Sequence, residues 1–209
     1  MRRDTTDQDR AYRAHARRVI ATGPALVFYD IETTGIDRIG DPTPLIWDIA
    51  AIRREPDGRR SETERVIEIG CPIPSAANIA GVDPELPAKI GRPAAEVLPR
   101  FGTHIADAVL VGHNIVAFDN PIMAAHFARL GHPAPVALTE QRACIDTLLI
   151  ARALFSDHPN PPSRYRLMDI AAYLKVRLPD GVLHRAIDDT RLVEGVFDAL
   201  ARELAARAD

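Results

Sequence analysis

ALVFYDIE, residues 25–32, is a short run apolar on both faces, the pattern of a strand buried in the middle of a sheet. Side chains alternate along a strand, so Asp30 and Glu32 emerge together on the face that carries Leu26 and Phe28. Two acids closing a central strand need partners. The TTG that follows, residues 33–35, adds a turn at which the backbone can approach a ligand closely. A solvated strand end carries such acids too, so the pair is suggestive and no more.

Working outward, two strand-like runs follow at 46–53 and 64–69, with the turn formers Pro56, Asp57 and Gly58 between them, which predicts an antiparallel meander. The stretch from Cys71 to Pro93 holds Pro72, Pro74, Pro84, Pro87 and Pro93 and reads mostly as loop crossing the sheet edge. The pattern then changes to a helix at 94–106, a strand at 108–112, a helix at 120–130 and a short strand near Cys144. Helices at 146–155, 167–174 and 187–206 complete the chain. The expected fold is α/β: a mixed five-stranded sheet, an antiparallel meander followed by parallel strands, flanked by helices.

The 209 residues, 46% hydrophobic and 26% charged, suffice for one globular domain with a sizeable core. A net charge of -3 gives no general basic surface, so any nucleic-acid contact must be local. Cys71 and Cys144 form no CxxC spacing, against a zinc site or disulfide framework. No run approaches the ~20 apolar residues that span a bilayer, and the chain is expected to be cytoplasmic with no membrane partner. Residues 1–23, with Arg2, Arg3, Arg10, Arg13, Arg17 and Arg18, read as a helical N-terminal extension to a domain at 24–209. A solvated helix is the favoured reading of that extension, and a nucleic-acid tether the alternative.

Two further segments carry acids. In GHNIVAFDNPIM, residues 112–123, Asp119 stands at a helix start and is followed at helical spacing by Ile122, Met123, His126, Phe127 and Leu130, so it heads the buried stripe. A simple N-terminal cap is the competing reading. In HRAIDDTRLVEGVF, residues 184–197, the stripe Leu192, Val193, Val196, Phe197 and Leu200 selects Asp189 as inward-facing. Asp188 shares its side with Arg191, Gly195 and Asp198 and reads as a surface acid. Three segments aiming acids at the core side of one sheet is costly unless something offsets repulsion and desolvation. Divalent cations do so, and hard oxygen ligands favour Mg²⁺ or Mn²⁺ over zinc. Such a set suits two ions ~3.5–4 Å apart in a phosphoryl displacement.

In this order the three segments resemble the signature of the DEDD exonucleases, in the DEDDh, DnaQ-like proofreading subgroup with an RNase H-like fold. The likeness covers residues 25–205 and includes IDTL at 145–148 and YRLMDIAAYL at 165–174. It implies a 3′-5′ exonuclease releasing nucleoside 5′-monophosphates from DNA 3′ ends. Asp30, Glu32, Asp119 and Asp189 would hold two Mg²⁺ or Mn²⁺ ions, and His184 would take the proton from the attacking water. Thr33, through its backbone, and Ile36 would contact the terminal nucleotide. A separate polymerase or repair protein is an implied partner. His113 and Asn114 are expected to organise the strand end by hydrogen bonds, and the other histidines to be structural. The chain departs from the commonest motif in having three residues, Ile115, Val116 and Ala117, between HN and FD, which leaves the register of Asp119 open. A 3′-5′ exoribonuclease of the same fold, and a silent nucleic-acid-binding or scaffold module, are the competing functions.

Overall fold

The computed structural model describes residues 5–35, 43–75, 81–140, 143–178 and 185–207. β1 (Leu26–Thr33) lies at the centre of a five-stranded sheet ordered β3-β2-β1-β4-β5, with β2 at Ile46–Arg54, β3 at Arg60–Val66, β4 at Val109–Gly112 and β5 at Cys144–Asp146. The first three strands pair antiparallel, and β4 and β5 add in parallel. The sheet is therefore the expected one. The helices are α1 (Thr5–Thr22), α2 (Leu86–Ile90), α3 (Ala94–Ile105), α4 (Asp119–Arg129), α5 (Val136–Thr139), α6 (Thr147–Phe155), α7 (Leu167–Tyr173) and α8 (Ala186–Ala206).

Strand alternation divides the apolar residues between two cores, one on each face. Leu26 and Phe28 join α6, α7 and α8 on one side, where the rings of Phe28 and Phe197 meet edge-on at 5.4 Å. Val27, Tyr29 and Ile31 join α3 and α4 on the other. Asp30 and Glu32 continue the Leu26–Phe28 row, and so lie on the α8 face at the strand's far end.

β3 begins four residues before the predicted 64 and stops at Val66. The turn at Pro56–Gly58 is tight, with Gly58 N–H donating to the Glu55 carbonyl at 3.0 Å, so pairing resumes at once. Alternate charged residues of this strand are paired: Arg60, Glu62 and Glu64 meet Glu194, Arg191 and Arg185 at 2.8, 2.7 and 2.6 Å. This ladder ties α8 to the sheet edge. α2 inside the proline-rich stretch and α5 before β5 were not anticipated from the sequence; both are single turns.

α1 lies along α6 and α8, burying Ala16 with Tyr12, Val19 and Ile20 beside it. Two of its arginines are used internally: Arg13 donates to the Ala153 carbonyl at 3.0 Å and Arg17 to the Leu204 carbonyl at 3.2 Å. The last carbonyls of a helix lack intrahelical partners and attract cations. Among the described residues, no helix is long and apolar enough to cross a membrane.

Candidate active site

Asp30 and Glu32 from β1 and Asp189 from α8 each present a carboxylate oxygen, and the three lie within 4.8 Å of one another. Asp189 is brought there by the stripe it heads, since Leu192, Val193, Val196, Phe197 and Leu200 are all buried against the sheet. Its neighbour Asp188 turns instead to Arg191 at 3.3 Å. Helical periodicity separates the two adjacent acids as predicted.

Asp119 arrives from the other side. Its stripe, Ile122, Met123 and Phe127, packs into the core beneath α4, so it does not share the α8 face as the sequence pattern suggested. The N-terminal end of α4 meets β1 near that strand's C-terminal end. There the buried Asp119 carboxylate accepts the Ile31 amide at 3.3 Å, and its charge weighs on Asp30 more than that of any other acid. The extra residue in 113–119 is absorbed in a compact turn: Asn114 takes a positive φ of 67° and Asn120 N–H donates to the Ile115 carbonyl at 2.9 Å.

The electrostatics are those of a crowded anionic cluster. Burial first, then Asp119, Asp189, Glu32 and Asp48, push the Asp30 carboxyl well above the usual range. Burial and then Asp189 lift Glu32 to about 8. Asp119 is raised to about 7 by burial, with backbone hydrogen bonds opposing. Acids so placed gain from a nearby cation, because each charge is unfavourable without one.

Two structural acids had been given no role. Asp146, ending β5, accepts amide hydrogen bonds from Asn114 (2.8 Å), Val116 (3.3 Å) and Leu148 (3.0 Å), so it both caps α6 and shapes the turn leading to Asp119. Asp48 on β2 pairs in register with Glu32, is fully buried, and accepts Arg185 Nε at 2.7 Å and Ala186 N–H at 3.3 Å at the start of α8. An acid inside the apolar run LIWDIAAI, residues 45–52, was the available signal. His113 behaves as expected, bridging Thr147 Oγ1 at 3.0 Å and the Tyr165 carbonyl at 2.9 Å. His126 is likewise structural, with Nε2 2.9 Å from the Pro44 carbonyl. Gly112 leaves room for Ile115: a Cβ there would stand 1.8 Å from Ile115 Cγ2. Thr33 is buried at the strand end with its hydroxyl donating to the Gly35 carbonyl at 2.5 Å. His184 and Ile36 lie outside the described residues.

Residues 27–197 match the family model RNase_T, described as exonuclease. The DNA polymerase III PolC-type of Caldanaerobacter subterraneus subsp. tengcongensis is 30% identical over 179 residues, 85% of this chain and 12% of the polymerase. That of Thermotoga maritima is 30% identical over 172 residues, 82% of this chain and 11% of the polymerase. This chain thus spans about a tenth of the length of these curated relatives. Among solved structures, E. coli Exonuclease I in complex with a dT13 oligonucleotide superposes with a TM-score of 0.69, at 19% identity, over 88% of this chain and 42% of that one. Exonuclease I from Methylocaldum szegediense gives 0.68 at 21% identity, over 88% and 41%. A mixed sheet with acids gathered at the end of its central strand defines the RNase H-like class. Within it, the chain belongs to the RNase_T exonuclease family, the DnaQ-like group its motifs resemble.

Proposed function

We propose that this chain is a metal-dependent 3′-5′ exonuclease that hydrolyses phosphodiester bonds at DNA 3′ ends and releases nucleoside 5′-monophosphates. The observation that carries this reading is the meeting of Asp30, Glu32 and Asp189 within 4.8 Å at the end of β1, with Asp119 against the Ile31 amide beside them. The donor set fits hard divalent cations, since it consists of carboxylate oxygens crowded together with raised pKa values at Asp30, Glu32 and Asp119. We assign Asp30, Glu32, Asp119 and Asp189 as ligands of two Mg²⁺ or Mn²⁺ ions, which when bound supply Lewis-acid stabilisation of the charge building on the phosphate oxygens. The proton of the attacking water goes to His184, whose role rests on the sequence motif, and an imidazole with a pKa near ~6.5 suits that task. Thr33 contributes backbone to the terminal nucleotide, because its hydroxyl is turned inward, and Ile36 contributes an apolar surface for the base.

The choice of DNA draws on the relatives, which include PolC-type DNA polymerases and an Exonuclease I seen with a dT13 oligonucleotide. A separate DNA polymerase or repair protein is the proposed partner, and the cytoplasm the proposed compartment. Residues 24–209 are taken as the exonuclease domain. The test is a time course on 5′-labelled single-stranded DNA and matched RNA, with and without Mg²⁺ or Mn²⁺. A ladder shortening from the 3′ end, with mononucleotide products only when metal is present, supports the proposal. A large preference for RNA reassigns the chain as an exoribonuclease, and no metal-dependent shortening of either strand removes the enzyme reading.

A further inference from the structure

Arg185 is the extended N-cap residue of α8, and its carbonyl accepts the Asp189 amide at 3.2 Å, so it stands next to the acid cluster in the fold. Its charge is felt at Glu32, which it pulls toward the ionised form. A guanidinium beside a group of carboxylates is drawn to them, and its planar fork matches them in bidentate fashion. Nevertheless it is held elsewhere, with Nε on Asp48 at 2.7 Å and Nη2 on Glu64 at 2.6 Å. Asp48 meets this need at a cost. It is fully buried, and its Oδ1 makes no hydrogen bond among the described residues. A neutral serine or asparagine would cap the Ala186 amide without burying a half-satisfied charge. The capping bond alone therefore does not account for an aspartate here; its charge has a use, and the cation it touches is Arg185.

We propose that Asp48 is a positioning residue that parks the Arg185 guanidinium against β2 and β3, keeping this cation out of the Asp30, Glu32 and Asp189 cluster where divalent cations would bind. Without it, Arg185 swings into the cluster and competes with the metal as a tethered cation. The inference rests on the cation reading above and is separable from it. Mn²⁺ uptake by the full chain, followed by electron paramagnetic resonance, is the measurement, with thermal unfolding run alongside. In D48N the free Mn²⁺ needed for half-occupancy rises by roughly 10–100-fold, the effect usual for a group supporting metal ligands. In D48N/R185Q, with the competitor gone, it returns most of the way to the wild-type value. Equal loss in the single and double variants would overturn the proposal, because the effect of Asp48 would then not pass through Arg185, and so would wild-type uptake in D48N. Should D48N not fold, R185Q decides: uptake at least as tight as wild type supports the proposal and weaker uptake defeats it. Wild-type protein that takes up no Mn²⁺ defeats the cation reading itself, a result distinct from all of these.

Discussion

Asp30 and Asp146 are carboxylates toward the ends of strands in one sheet, yet the protein treats them in opposite ways. Asp146 is surrounded by donors, three backbone amides that work against the rise in pKa that burial brings. Asp30 is surrounded by acids, and nearly everything acting on it raises its pKa. A structural acid is given its hydrogen bonds by the fold, whereas an acid kept for a ligand is left with a deficit that the ligand must make good. Removing the two should therefore change stability in opposite directions.

The sharpest break is Asp30→Ala or Asp189→Ala, which should lower metal-dependent nucleotide release on the order of a thousandfold, or about 4 kcal/mol of transition-state stabilisation. Activity within tenfold of wild type in both variants would remove the carboxylate cluster from the chemistry. On the other side of the comparison, Asp146→Ala strands three amide donors and should cost about 2–4 kcal/mol in urea unfolding. The milder Asp30→Asn should instead raise the metal-free midpoint by about 2–4 °C, the shift that ~1 kcal/mol gives a chain of this size. If both substitutions destabilise alike, the contrast is wrong.

Gly112→Ala forces Ile115, itself fully buried, out of its seat and should cost about 1–3 kcal/mol through overpacking while displacing the turn that delivers Asp119. Calorimetry and metal titration of that variant together would show whether the turn and the cluster are coupled. pH gives the gentlest probe. Glu32 at about 8 and Asp119 at about 7 stand above their ordinary 4.5 and 3.8, so the folded chain binds more protons than the unfolded one. Stability of the metal-free protein should accordingly fall as pH rises from roughly 4 to 8, and saturating Mg²⁺ should flatten the slope. A metal-free melting profile that rises through that window would contradict the assigned directions.

Much of this was legible in the residues. β1 announced itself because it is apolar on both faces, and α4 and α8 because their apolar stripes have helical period, so Asp30, Glu32 and Asp189 could be placed on their elements and faces. Asp119 could be placed on its helix but not on its side of the sheet, since a stripe says that a helix covers a core without saying which one. β3 was misjudged because its alternate charges are satisfied by α8, more than a hundred residues away, and a local pattern cannot show that partner. Asp48 and Asp146 escaped for the related reason that their donors, Arg185 and the 114–116 backbone, come from distant segments.

The clasp between α1 and the ends of α6 and α8 bears on how the protein can be shortened. The segment matching the family, 27–197, omits α1, Leu200 and Leu204, and with them the Tyr12 hydroxyl that accepts the Asp146 amide at 2.7 Å. A fragment trimmed to those limits would open a hydrophobic seam along α6 and loosen the footing of β5. Peptide tags or fused partners are better tolerated beyond both helices than in place of either.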